Sequence, residues 1–84
     1  MPPEDAQTIA ETFQVSAGLV LSGHFDLSAY PHRHLAVAAD RGFWFQRLAQ
    51  VLAAADMLTP AGFALVNTIE FTDGNAVCAI LRRG

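Results

Sequence analysis

The clearest hydrophobic pattern lies in residues 62–83, where two strand-like apolar runs flank a short polar stretch. Residues 62–71 and 76–83 read as two strands on either side of Asp73-Gly74, a pair that favours a two-residue hairpin loop. With that loop, Phe71 faces Ala76, Ile69 faces Cys78 and Asn67 faces Ile80. One face then carries Phe63, Leu65, Ile69, Phe71, Cys78 and Ile80, interrupted by Asn67. The other carries Ala64, Val66, Thr68, Glu70, Val77, Ala79 and Leu81. Side chains alternate across a strand, so the more apolar first set is the expected core face.

Earlier in the chain the pattern is mixed. Residues 1–5 read as a loose tail. Residues 6–12 read as the start of a strand or as a short helical turn after Pro3. In residues 13–22, Phe13, Val15, Ala17, Leu19 and Leu21 alternate with Gln14, Ser16, Gly18, Val20 and Ser22, the pattern of a half-buried strand. Ser16-Ala17-Gly18 also fits a three-residue hairpin loop, and one long strand is the preferred reading. Residues 22–34, punctuated by Gly23 and Pro31, read as a crossover loop.

Residues 35–58 are alanine-rich and mostly helical in pattern. At ~100° per residue, Trp44, Phe45, Leu48, Val51, Leu52 and Ala55 share one apolar arc, with Gln46, Arg47 and Gln50 opposite. Extending the wheel backward puts Arg41 inside that arc. The helix is therefore expected to begin near residues 41–42, with Asp40 as N-cap. Residues 34–39 remain a separate short helix or another strand. Phe43 and Met57 fall on the polar side, and Leu58-Thr59-Pro60-Ala61-Gly62 ends the helix.

The order strand, loop, helix, strand, strand predicts an α+β fold of β-α-β-β type. One main helix would pack on an antiparallel sheet of three strands, or of four. With 84 residues, one domain is expected. Residues 48–83 resemble a group of small bacterial domains of unknown function. In these, a helix leads through a short turn to a Gly-Trp-Glu-Leu-Val strand and then to a hairpin ending in a basic residue. Gly62-Phe63-Ala64-Leu65-Val66 occupies that strand here, with Phe63 for the tryptophan and Ala64 for the glutamate. The resemblance implies the helix-plus-hairpin fold and supplies no catalytic residues.

Composition narrows the function classes. Hydrophobic residues make up 52% and charged residues 15%, more apolar than one modest core in so small a chain absorbs, which points to a subunit interface. The net charge is −3, and all five basic residues are arginines. That balance opposes a nucleic-acid or anionic-membrane partner. A helix followed by a hairpin also ends winged-helix domains. Here, however, the helix offers only Arg41 and Arg47, and the hairpin tip is Asp73-Gly74, the wrong charge for phosphate contacts. Residues 1–8 lack the basic and apolar regions of a signal peptide, and no apolar run reaches the ~18 residues of a membrane span. A cytoplasmic location is the expectation.

Candidate chemistry is sparse. Cys78 is the only cysteine and reads as a small buried thiol. His24, Asp26, His32 and His34 are the one set with metal-ligand character, for zinc or another divalent cation. An extended 32–34 segment would aim both imidazoles the same way, whereas a helical one would set them ~200° apart. Arg33 between them repels a cation, and a solvated polar loop without a cofactor is the simpler expectation. Asn67, among apolar neighbours, either bonds nearby backbone or lines a small pocket under the helix together with Trp44. No nucleophile elbow or phosphate loop is present, so the expectation leans away from an enzyme.

The expected function is a non-catalytic module acting through self-association or through another protein. The alternative is a small-ligand or divalent-metal domain using residues 23–34. One helix covers one sheet face, which would leave Val66, Val77 and Leu81 on the other, with Phe43 and Met57 outside the helix. These five are the expected interface of a homo-oligomer, most simply a dimer. Coverage of that sheet face by residues 6–12 is the intrachain alternative.

Overall fold

The computed structural model describes residues 5–26, 29–70 and 76–84, and of Trp44 the backbone alone. Its elements are α1 (Ala6–Thr12), β1 (Gln14–Ser16), α2 (Ala17–Leu21), β2 (His34–Ala39), α3 (Trp44–Leu58), a 3-10 turn (Thr59–Ala61), β3 (Phe63–Glu70) and β4 (Val77–Arg83). The strands form an open sheet in the order β1-β2-β4-β3. The β1 strand runs parallel to β2, and β4 runs antiparallel to both of its neighbours. The fold is α+β, with one long helix laid on four strands. The Asp73-Gly74 loop, Phe71 and residues 1–4 of the expected tail lie outside the described residues.

Local chemistry explains where the N-terminal elements differ from the alternating pattern. Asp5 Oδ1 accepts the Thr8 N–H at 2.7 Å and caps α1. The helix closes at Phe13, which takes the left-handed conformation at φ 61° and donates its N–H to the Ile9 carbonyl at 2.9 Å. Residues 13–22 are not one long strand. Ser16 Oγ accepts the Leu19 N–H at 3.1 Å, which starts a helix three residues into the run. Ala17 and Val20, three apart, are then the buried residues of α2. Residues 34–39 form a strand whose Leu35, Val37 and Ala39 point into the core.

The main helix begins later than expected. Its N-cap is Phe43, not Asp40, and the Phe43 N–H is satisfied by Gln46 Oε1 at 2.8 Å. Gly42 precedes it at φ 84°, and a Cβ there would lie 2.5 Å from that same Gln46 oxygen. The buried face is also rotated. Val51, Ala54, Ala55 and Leu58 are buried, whereas Phe45 and Leu52 of the expected arc are exposed. The shift is roughly 70° at ~100° per residue. It brings Ala54 and Leu58 into the core formed with Val37, Ala39, Val77 and Ala79 of the sheet.

The hairpin register is the expected one from Glu70–Val77 back to Asn67–Ile80. There it breaks, because Leu65 pairs with Leu81 and Val66 is bulged out of the ladder. An extra residue in one strand reverses the alternation beyond it. Phe63 and Leu65 therefore join the face of Val77, Ala79 and Leu81, opposite Asn67, Ile69, Cys78 and Ile80. The helix lies on that first face. The expected core face of β4 is thus inverted. Val77 (6% exposed) and Leu81 (0%) are core residues and cannot serve a partner.

Candidate functional site

The two edges of the sheet differ. The β1 strand is three residues long, whereas β3 presents eight along a free edge. Apart from Phe63 and the half-buried Thr68, the side chains of β3 are exposed. Leu65, Val66 and Ile69 are 47%, 61% and 41% exposed. Soluble proteins usually blunt such an edge with lysine, proline or inward charge. The β3 strand has neither lysine nor proline; its one charge, Glu70, lies on the helix side at its end, and the Val66 bulge is its only interruption. Val66 is the one member of the expected sheet-face interface that remains available. Phe43 (70% exposed) and Met57 (47%) are also open to solvent, as expected. Phe43 stacks on Phe45 with ring centroids 5.7 Å apart.

On the sheet face away from α3, Asn67 is exposed instead of lying among core side chains. The helix packs on the opposite face, that of Val77, Ala79 and Leu81, so Asn67 lines no pocket beneath it. The Trp44 side chain, its expected pocket partner, lies outside the described residues. Cys78, between Ala38 and Ile69 in the ladder, is buried, and burial pushes its thiol pKa up. It is a poor nucleophile at neutral pH.

A second feature is a cleft of about 240 Å³ between α1 and the segment that follows α2. Ile9, Leu19, Phe25 and Tyr30 form its apolar wall, and Asp5, His24 and Asp26 stand around it. Hydrogen bonding to the Thr8 backbone N–H holds the Asp5 carboxyl below its ordinary pKa. Phe25 meets Tyr30 edge to face at 6.3 Å. The Tyr30 hydroxyl donates to the His34 carbonyl. Burial raises its pKa, with the nearby Arg83 charge acting the other way.

The expected metal set does not come together. His24 and Asp26 line the cleft. His32 donates through Nε2 to the Ala10 carbonyl at 2.8 Å and stacks on Phe13 at 4.0 Å. His34 lies on β2 opposite Arg82. Among the described residues, no three His, Cys, Asp or Glu side chains are placed to hold a metal ion.

Arg83 is the structural residue that sequence reasoning passed over. Its Nη2 donates to the Tyr30 and His32 carbonyls at 3.1 and 3.0 Å, and its guanidinium sits 5.1 Å from the Phe63 ring centre. Its own N–H donates to the Arg33 carbonyl at 2.7 Å. It thereby ties the 30–33 segment to the end of β4. The only available signal was a basic residue after an apolar strand, which points equally well to a solvated charge.

No helix among the described residues is long and apolar enough to cross a membrane. No protein-family model, curated protein or solved structure matches this chain, so its functional reading rests on the geometry of the edge and the cleft.

Proposed function

We propose that this chain is a non-catalytic module that associates through the free edge of β3, with a strand of itself or of another protein completing the ladder. The observation that supports it is an eight-residue edge strand whose Leu65, Val66 and Ile69 stay exposed. Strand addition takes its affinity from main-chain hydrogen bonds and its selectivity from alternate side chains. An acidic chain whose Arg83 is already engaged with backbone carbonyls is poorly suited to phosphate backbones. Amide hydrogen exchange over a rising concentration series tests the reading. Association through the edge slows exchange in residues 63–70 while leaving α3 unchanged. Slowing elsewhere, or nowhere, counts against it.

The cleft favours a second reading, a small-molecule site. A cavity of ~150 Å³ accepts benzene, and this one, at about 240 Å³, accepts a ring with a short substituent. Millimolar indole would then raise the melting temperature, since a ligand of the native state stabilises it. An unchanged melting temperature rejects the reading.

A further inference from the structure

We infer that the strand completing β3 is a second copy of β3, running antiparallel about a two-fold axis between Val66 and Asn67. This rests on the proposed association through the edge and adds the partner and its register. In that register residue 63 faces 70 of the partner strand, 64 faces 69, 65 faces 68 and 66 faces 67. The two four-stranded sheets become one of eight strands, with both long helices on the same side.

The Val66 bulge selects this register. Residues directly opposite each other in a ladder must point to the same face. Because of the bulge, Phe63 and Leu65 point to the helix side in the first half of β3. In the second half Thr68 and Glu70 do so, opposite Ala79 and Val77. Ala64, opposite Arg82, points the other way, as do Asn67 and Ile69. Pairing 63 with 70, 65 with 68 and 64 with 69 puts like face against like in each pair. A shift of one residue sets Leu65 against Ile69 and Ala64 against Glu70, both on opposite faces. Because of the bulge, the faces of residues 63–65 mirror those of residues 68–70 about the Val66–Asn67 step, as a two-fold axis there requires.

Charge agrees with the same register. Glu70, the one charge on β3, arrives beside the end of the partner strand where Phe63 pairs with Arg83. Glu70 and the partner's Arg83 are both on the helix side with one strand between them, roughly 9–10 Å apart, a distance at which the attraction is felt at low salt and largely screened at physiological salt. Parallel pairing in register would instead put the two Glu70 carboxylates side by side. Ile69 gains Ala64 as its cross-strand neighbour, and Leu65 gains Thr68, which covers two of the three exposed apolar side chains of the edge. An isologous contact of this kind closes on itself and stops at two subunits.

Light scattering coupled to size exclusion and double electron–electron resonance test this together. The expected mass at tens to hundreds of micromolar is twice 9.0 kDa. Spin labels at Glu70→Cys, in a Cys78→Ala background, are expected about 23 Å apart along the strands, seven residues at ~3.3 Å. Val66→Arg, or Ile69→Arg should the first fail to fold, is expected to return the mass to that of one chain with an unchanged far-UV spectrum. A mass of 9.0 kDa at every concentration overturns the second copy as partner without touching a partner of another sequence. A dimer that both arginine substitutions leave intact overturns this inference and the edge reading alike. A dimer that they dissociate, but with no label population near ~23 Å, overturns the register and leaves the edge reading standing.

Discussion

Val77→Glu and Ile69→Glu, one on each face of the hairpin, discriminate the two assignments of its core. Val77 is 6% exposed beneath α3, and Ile69, on the other face of β3, is 41% exposed. Replacing Val77 forfeits about 1.5–3 kcal/mol of side-chain burial. It also puts a carboxylate among Ala39, Ala79 and other apolar neighbours, at a further several kcal/mol if it remains charged and unpaired. At ~0.05–0.15 kcal/mol per residue, a chain of 84 residues has roughly 4–13 kcal/mol of stability in total. Val77→Glu is therefore expected to unfold the protein or leave it marginal. Ile69→Glu forfeits only the covered part of its side chain, about 1 kcal/mol, and leaves its carboxylate in water. Far-UV circular dichroism with a urea series at low micromolar protein, where association contributes least, reads both. A folded Val77→Glu with a wild-type midpoint beside an unfolded Ile69→Glu would show that the faces are the reverse of those described, and would remove the bulge argument with them.

Deleting Val66 removes the bulged residue and leaves Leu65 opposite Leu81 and Asn67 opposite Ile80 in regular alternation. The variant is expected to fold with a stability change of no more than about 2 kcal/mol, and an unfolded far-UV spectrum would contradict the register. Arg83→Met removes two carbonyl bonds and the contact over Phe63, and is expected to cost about 1–3 kcal/mol in urea unfolding; an unchanged midpoint would show that the clamp is idle. Stability is expected to fall at alkaline pH. Burial raises both the Cys78 thiol and the Tyr30 phenol pKa, so the unfolded chain loses these protons first. Their contribution is whole below the ordinary thiol range, ~8.5, and declines as pH rises through that range and the phenol range near ~10. Melting temperatures measured from pH 7 to 11 should show the decline, and Cys78→Ala should flatten its lower part; equal slopes for the two proteins would refute the thiol share.

What the sequence disclosed was governed by the range of the interaction involved. The hairpin register at Ile69–Cys78, the helix ending at Leu58 and the turn through Thr59-Pro60 are local, and were legible as such. The helix starting at Ser16 was written in a capping serine, but alternating Val15, Ala17 and Leu19 fit a strand equally well. The phase of α3 was set by what it packs against. A wheel weighted by side-chain size admits Phe45 and Leu52, whereas the packed face keeps Val51 and Ala55 and brings in Ala54 and Leu58. The cleft and the Arg83 clamp both join residues far apart in sequence, such as Ile9 with Tyr30 and Tyr30 with Arg83. Periodicity carries no trace of such pairs. The exposed edge of β3 was hidden for a related reason: strand order, not strand pattern, decides which strand is left without a neighbour.

Two apolar sets in the hairpin are out of phase, and the bulge is how one fold uses both. Val77, Ala79 and Leu81 share one face of β4. A regular β3 would place Phe63 and Leu65 on the opposite face, above Cys78 and Ile80. Keeping the ladder regular would preserve about one backbone hydrogen bond, worth ~0.5–1.5 kcal/mol net. It would leave Phe63 outside the core, forfeiting roughly 1.5–3 kcal/mol of burial and the platform on which Arg83 rests. Burial wins, and one extra residue at Val66 brings Phe63 to 2% exposure. The same residue then fixes what the outer edge can pair with, because it reverses the faces at the midpoint of β3. A defect forced by the core on the inner side of the strand thus becomes, on its outer side, the mark of a two-fold axis.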